Sequence, residues 1–395
     1  MNYFETADIL LPKKDFEKWA VIACDQHTSE PEYWNDVKEI VGDTPSSLNI
    51  MLPEVWLKED NEESIKRINA TMVQYLNEDV FEEHKNSMIY VERKIGDQIR
   101  KGLVGVIDLE DYDYHKNSKT LIRATEETVE DRLPPRIKIR KDAVLEMPHI
   151  LLLFDDPTRS VVKPLEVKKE ELPVAYDFEL MKDGGHIQGW FLDEETVQSV
   201  QQALGELLKK NEDLLFVVGD GNHSLAAAKE SYNLTKNPKA RYALVELENV
   251  HDRSIEFEPI YRVLFQVDAA DFIEKFVDYT EKNGGEEQQY FECITKEETG
   301  TIQVKATAKL PIGTLQKFID LYLKEHSEVS IDYIHGEETV RNLCQQEKVL
   351  GLLFEGMKKE DLFPAVRADG SLPRKTFSMG HADEKRFYIE TRRIQ

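Results

Sequence analysis

The chain has 395 residues, 41% of them apolar and 32% charged, which suits a water-soluble fold with ample core material and is long for one domain. Acidic residues outnumber Lys and Arg by 76 to 51, a formal charge of -25, and no basic patch stands out, so nucleic acid and anionic membrane are not expected partners. Three dispersed cysteines without a Cys-x-x-Cys pair, no signal-peptide core and no apolar run of membrane-spanning length point to a cytoplasmic protein.

Residues 19–24 have strand character and end at Asp25-Gln26-His27-Thr28, after which Pro31 opens a helix. Apolar residues at Ile65, Ile68, Met72, Tyr75 and Leu76 predict a helix over 64–80. Strands over 88–95 and 103–109 are expected to form a hairpin with a long loop from Gly96 to Gly102. The charge-dense segment 123–132 reads as a helix capped by Thr125. A buried strand follows over 149–154, then a hairpin of 174–180 and 186–192 around Gly184-Gly185. The stripe of Val197, Val200, Leu204, Leu207 and Leu208 predicts a helix over 193–209. His149 and His251 read as histidines satisfied by ordinary hydrogen bonds.

An apolar run over 214–218 then breaks at Gly219-Asp220-Gly221-Asn222-His223-Ser224 and gives way to alanine-rich helical spacing. A buried strand feeding a helix start leaves backbone N–H groups without intrahelical partners at the positive end of the helix dipole, a natural seat for phosphate or carboxylate. Gly219 and Gly221 allow close approach, while Asp220, Asn222, His223 and Ser224 bring an acceptor, an amide, a titratable ring and a hydroxyl. Asn222 or Ser224 could equally cap the helix.

Strands are expected over 242–248 and 255–265, a helix over 268–282, and a lobe boundary at Gly284-Gly285. Beyond it come strands over 290–294, 301–308, 329–333 and 349–354 and helices over 313–324, 337–344 and 358–368. A polar loop over 372–381 and a strand over 386–390 follow. The pattern predicts an α/β protein with a mixed sheet: a larger domain over 1–283 that carries the turn, and a smaller α/β lobe over 284–395.

No Walker A, dinucleotide Gly-x-Gly-x-x-Gly, His-Glu-x-x-His or Gly-x-Ser-x-Gly pattern is present. Nothing in the sequence orders a base against Ser224, and Asp220 with His223, or Asp25 with His27, are too few ligands for a metal site. Anion or nucleotide binding at the helix start remains, with Arg123, Arg132, Lys229, Arg374 and Lys375 as candidate cations and Glu126 or Asp220 as base or magnesium ligand.

Five ordered stretches, RKGLVGVIDLEDYD from Arg100, TEETVEDRL from Thr125, HILLLFDD from His149, VVGDGNHSLAAA from Val217 and LPRKTF from Leu372, resemble an uncharacterised bacterial family, domain of unknown function one thousand and fifteen. That family commonly has Asp-Gly-His-His-Arg at the turn and His-Glu-x-Thr near position 125; here Ser224 replaces the arginine and Thr125 the histidine. Asp220, Gly221, His223, Glu126, Thr128, Asp131, Arg132 and Lys375 match. The strand, Asp-Gly turn and helix also resemble the nucleotide-binding turn of ParB-like domains. Together the resemblances imply a ParB-like strand-turn-helix core binding a phosphorylated small molecule. Asp220, His223 and Glu126 would carry the chemistry, and Gly221, Asn222, Ser224, Thr128, Arg123, Arg132 and Lys375 would hold ATP, ADP or CTP with Mg2+. A small-molecule phosphotransferase is the leading expectation, and a non-catalytic ligand-sensing protein or a metal-dependent hydrolase are the alternatives.

Overall fold

The computed structural model describes residues 3–58, 60–128, 133–147, 149–211, 213–380 and 384–395. They divide into two units, one built from Met1–Ala124, Thr128–Ile255 and His381–Gln395, the other from Thr125–Glu127 and Glu256–Gly380. Both are mixed α/β, as the pattern predicts.

Unit 1 is organised by a nine-stranded sheet of β1 (Ile89–Ile95), β2 (Gln98–Asp108), β3 (Tyr112–Asp113), β4 (Ile122–Arg123), β5 (Leu151–Phe154), β6 (Val174–Glu179), β7 (His186–Phe191), β8 (Phe216–Asp220) and β9 (Tyr242–Asn249). Their order is β6-β7-β1-β2-β9-β5-β8-β4-β3. The pairs from β6 to β9 are antiparallel, β9 runs parallel to β5, and β8 lies between antiparallel β5 and parallel β4. Three helices of this unit, α1 (Leu133–Lys141), α2 (Glu194–Asn211) and α3 (Asn222–Thr235), follow β4, β7 and β8 in the chain. One face of the sheet buries Leu152, Phe154, Phe216 and Val218 with Val200, Leu204 and Leu207 of α2 and Leu225 to Ala228 of α3. Small alanines on the buried face keep α3 close to the strands.

Two sequence expectations change here. β1 and β2 stay in register to Ile95 and Gln98, so Gly96-Asp97 alone makes the turn, with Gly96 at the positive φ of +56° that tight hairpins use. The polar run from Gln98 to Lys101 concealed this strand because Arg100 is buried, its Nη1 donating to Glu384 O at 2.9 Å. The helix start expected at Thr125 is absent. Leu372 N donates to Thr125 O at 2.6 Å and Glu127 N to Leu372 O at 3.2 Å, and a backbone contact across the chain takes the place of a cap.

Residues 384–395 complete unit 1. Phe387–Tyr388 pairs antiparallel with Val21–Ile22, and Arg392–Arg393 with Leu145–Glu146. Arg386 pairs with Glu246 and Glu390, and Arg392 Nε reaches Glu146 Oε1 at 2.8 Å. A Cβ at Gly102 would overlap the Glu246 carboxylate, so this glycine makes room for the Arg386 pair.

Unit 2 holds β10 (Phe257–Phe265), α4 (Ala269–Asn283), β11 (Gln288–Ile294), β12 (Thr299–Lys305), α5 (Pro311–Glu325), β13 (Ser330–His335), β14 (Val349–Phe354) and β15 (Phe377–Met379). The antiparallel order is β12-β11-β14-β10-β13, and β15 pairs with the start of β10. Asp268 caps α4 by accepting from Ala270 N and Asp271 N, and Gly284 follows the helix within this unit. Phe272 and Phe276 of α4, Phe318 and Tyr322 of α5 and Phe291 of β11 pack as edge-on and stacked rings. Among the described residues no helix is long and apolar enough to cross a membrane.

Candidate functional site

The expected strand, turn and helix are formed by β8, Gly221 and α3. Gly221, which has no side chain to cap with, occupies the N-cap position at φ +79°, and the first intrahelical bond runs from Leu225 N to Gly221 O at 3.0 Å. Asp220 Oδ1 accepts the Gly221 N–H at 2.8 Å. Asn222, His223 and Ser224 follow on the first turn, each half-buried.

Strand pairing brings distant residues to this turn. β5 runs antiparallel to β8, so the residues entering β5 lie beside those leaving β8, and a register shift between Val218 and Asp220 sets Asp220 opposite Leu151. A Cβ at Gly221 would stand 3.2 Å from Ile150 Cα and 3.5 Å from His149 Cδ2. His149 is therefore a neighbour of the turn. Its Nε2 lies 3.5 Å from Ser224 Oγ and 3.6 Å from Asp25 Oδ2, and its Nδ1 is 2.8 Å from Tyr388 Oη. The small Val21–Ile22 and Phe387–Tyr388 ladder supplies the rest, with Asp25 just beyond one strand and Lys385 just before the other. Lys385 Nζ sits 3.2 Å from Asp220 Oδ2, and Gln26 Nε2 donates to Asp25 Oδ1 at 3.0 Å.

Electrostatics follow from this geometry. Burial is the largest single influence on Asp25 and opposes its ionisation, but the His149 charge and hydrogen bond, the Gln26 hydrogen bond and Lys385 together outweigh it and hold the carboxyl well below the usual carboxylate range. Burial likewise opposes protonation of His149, and the Asp25 and Asp220 charges override it and raise the imidazole pKa. The site is thus two carboxylates and two cations around a serine hydroxyl at a helix start. A cavity of about 160 Å³ adjoins it, lined by His149, Ser224, Cys24 and Tyr388 at one side and by aliphatic residues such as Leu52, Met72 and Ile139 elsewhere.

The other residues singled out from the sequence are distributed differently. Arg123 is buried, donating to Thr120 O at 2.9 Å and to Asp213 Oδ2 at 2.6 Å, so its guanidinium serves the end of β8 opposite the turn. Thr128 is half-buried and its hydroxyl has no hydrogen-bond partner among the described residues. Arg132, like Asp131, lies outside the described residues. Glu126 and Lys375 belong to unit 2, where Glu126 Oε1 accepts from Thr376 N at 3.3 Å and Lys375 is exposed. Lys229 reaches Leu109 O at 2.8 Å. Sequence reasoning missed His149, Tyr388 and Lys385 as neighbours of the turn; the one available signal was that both His149 and Asp25 stand at ends of apolar strands.

This chain belongs to the family described as Protein of unknown function (DUF1015), whose model matches residues 6–332. No curated protein matches it. Among solved structures it is similar to a conserved hypothetical protein from Pyrococcus furiosus at 12% identity, covering 72% of this chain and 93% of that one with a TM-score of 0.37. It is also similar to free serine kinase in complex with AMP (10% identity, 72% and 90% covered, TM-score 0.39) and to a mutant of that kinase in complex with ADP (10%, 72% and 90%, TM-score 0.40).

Proposed function

We propose that the turn from Asp220 to Ser224 binds the phosphate of a nucleotide or phosphorylated metabolite and that the protein is a small-molecule phosphotransferase. The observation that carries this reading is the α3 start at Gly221 beside His149, whose Nε2 lies 3.5 Å from Ser224 Oγ and whose charge Asp25 and Asp220 favour. Helix-start amides, the Ser224 hydroxyl, His149 and Lys385 supply donors for phosphate oxygens. Asp25 and Asp220 supply carboxylates on the same site, one to take a proton from an acceptor hydroxyl and one to hold Mg2+. Mg2+ fits such a place because it takes one or two carboxylates and completes its shell with phosphate and water. Bound there, the ion would neutralise charge on the transferring phosphoryl group.

The test is thermal unfolding with ATP, ADP or CTP and Mg2+. The expected result is a rise of about 3 °C or more in the wild type, the size that ligand well above its Kd produces in a chain of this length, and a loss of that rise in Asp220→Ala, His223→Ala and His149→Ala. Equal shifts in all four proteins would overturn the assignment. Binding without product across a panel of small hydroxylated acceptors would favour the ligand-sensing alternative.

A further inference from the structure

Unit 2 gathers a set of cations of its own. Arg262 of β10 is fully buried, and its register partner on β13 is Tyr333, whose ring lies 4.6 Å from the guanidinium carbon. The guanidinium donates from Nε to Gln316 Oε1 at 2.7 Å, from Nη1 to Ile260 O at 2.6 Å and Lys375 O at 3.1 Å, and from Nη2 to Arg374 O at 3.0 Å. A buried arginine thus clamps the loop over residues 374 and 375 by its carbonyls, with Lys375 in the left-handed region at φ 53°. Burial pushes the Arg262 pKa down to about 10, with Tyr333 and Glu126 offsetting part of that cost.

The clamp fixes the backbone and leaves the two basic side chains exposed on the same ring. Arg374 Nε donates to Tyr333 Oη at 2.7 Å, and Lys375 Nζ stands 5.1 Å from the ring centre. Among the described residues neither Arg374 nor Lys375 pairs with a carboxylate, although acids outnumber bases by 76 to 51 over the chain. Tyr333 Oη accepts from Arg374, so the phenol keeps its own O–H to donate. The exposed Arg374 and Lys375 add guanidinium N–H groups and an ammonium as donors beside it. Glu126, whose Oε1 takes the Thr376 N–H, and Asp320 are the acids close enough to act on Arg262. A site of donors with this surplus charge selects a compact oxyanion.

We infer that Arg374, Lys375 and Tyr333 form a phosphate-binding site on unit 2, with Arg262 as the positioning residue that holds its loop. The ligand class is a phosphate group, either free or at the end of a metabolite. The site's position does not depend on the reading of the α3 turn.

Calorimetric titration of the full chain with inorganic phosphate, and in a second arm with AMP, tests it. The wild type should bind phosphate saturably. Arg374→Gln/Lys375→Gln, which alters exposed side chains only, should weaken binding at least tenfold, and Tyr333→Phe should weaken it less. Lys385→Gln, at the turn, should remove only the binding that the turn supplies and leave the part that depends on Arg374 and Lys375 in place. AMP binding that shows the same dependence on Arg374 and Lys375 and is tighter than phosphate would identify a metabolite phosphate as the source. No saturable binding by the wild type, equal binding by the double variant, or a loss seen only in Lys385→Gln would overturn the inference. The last result would move the phosphate to the turn and leave the proposed function standing.

Discussion

His149 Nε2 stands 3.6 Å from Asp25 Oδ2, inside a site where burial alone would discharge both groups. Each holds the other in its charged form. The raised His149 pKa contributes stability in full below the unfolded histidine value near 6.5, and that part is lost as pH rises through the folded value. The lowered Asp25 pKa contributes above the unfolded aspartate value near 4, and its part is lost as pH falls through the folded value. The pair therefore supports the fold most between about pH 4 and about pH 6.5.

Asp25→Asn should lower the His149 pKa, because burial then acts on the ring with only Asp220 against it. NMR titration of the imidazole reads this directly, and an unchanged midpoint would separate the two residues.

Gly221→Ala should destabilise unit 1 by about 1–2 kcal/mol, since an L side chain disfavours the left-handed conformation required there. The new Cβ also meets Ile150 Cα at 3.2 Å. Urea unfolding measures the cost, and a neutral result would mean that the turn can relax out of its positive φ.

Glu248 offers a different pH signature. Burial pushes its carboxyl up to about 8, with Glu246 and Asp252 adding to the rise and Arg100, whose Nε is 3.9 Å away, opposing it. Protonated Glu248 is thus favoured in the folded chain. Its contribution is full below the unfolded value near 4.5, declines as pH rises, and levels off above about 8. Glu248→Gln imitates the protonated side chain and should flatten stability measured by urea melts between pH 5 and 8. An identical slope in wild type and variant would show that Glu248 is ionised throughout.

The strand, turn and helix around Asp220 were legible because the apolar period changes within a few residues, and local sequence decides such a junction. Its surroundings were not legible. His149 reaches the turn through antiparallel pairing of strands some sixty positions apart, while Lys385 and Tyr388 arrive through a ladder with Val21–Ile22 from the other end of the sequence. Spacing carries no trace of such pairings. Thr125 misled for a related reason: Thr-x-x-Thr with acids looks like a helix start, whereas its carbonyl is taken by Leu372. Arg100 fell inside the expected loop from Gly96 to Gly102, whereas it lies in a strand with its guanidinium buried on the Glu384 carbonyl.

Unit 1 is closed by residues 384–395, which come after the whole of unit 2 in the chain. On a translating ribosome the smaller unit has all its strands while the larger still lacks Arg386, Tyr388 and Arg392. Glu246 waits without Arg386, Glu146 has Arg140 and lacks only Arg392, and His149 is without its phenol. A nascent chain stalled before Lys385 would hold the turn, Asp25 and His149 without Lys385 and Tyr388.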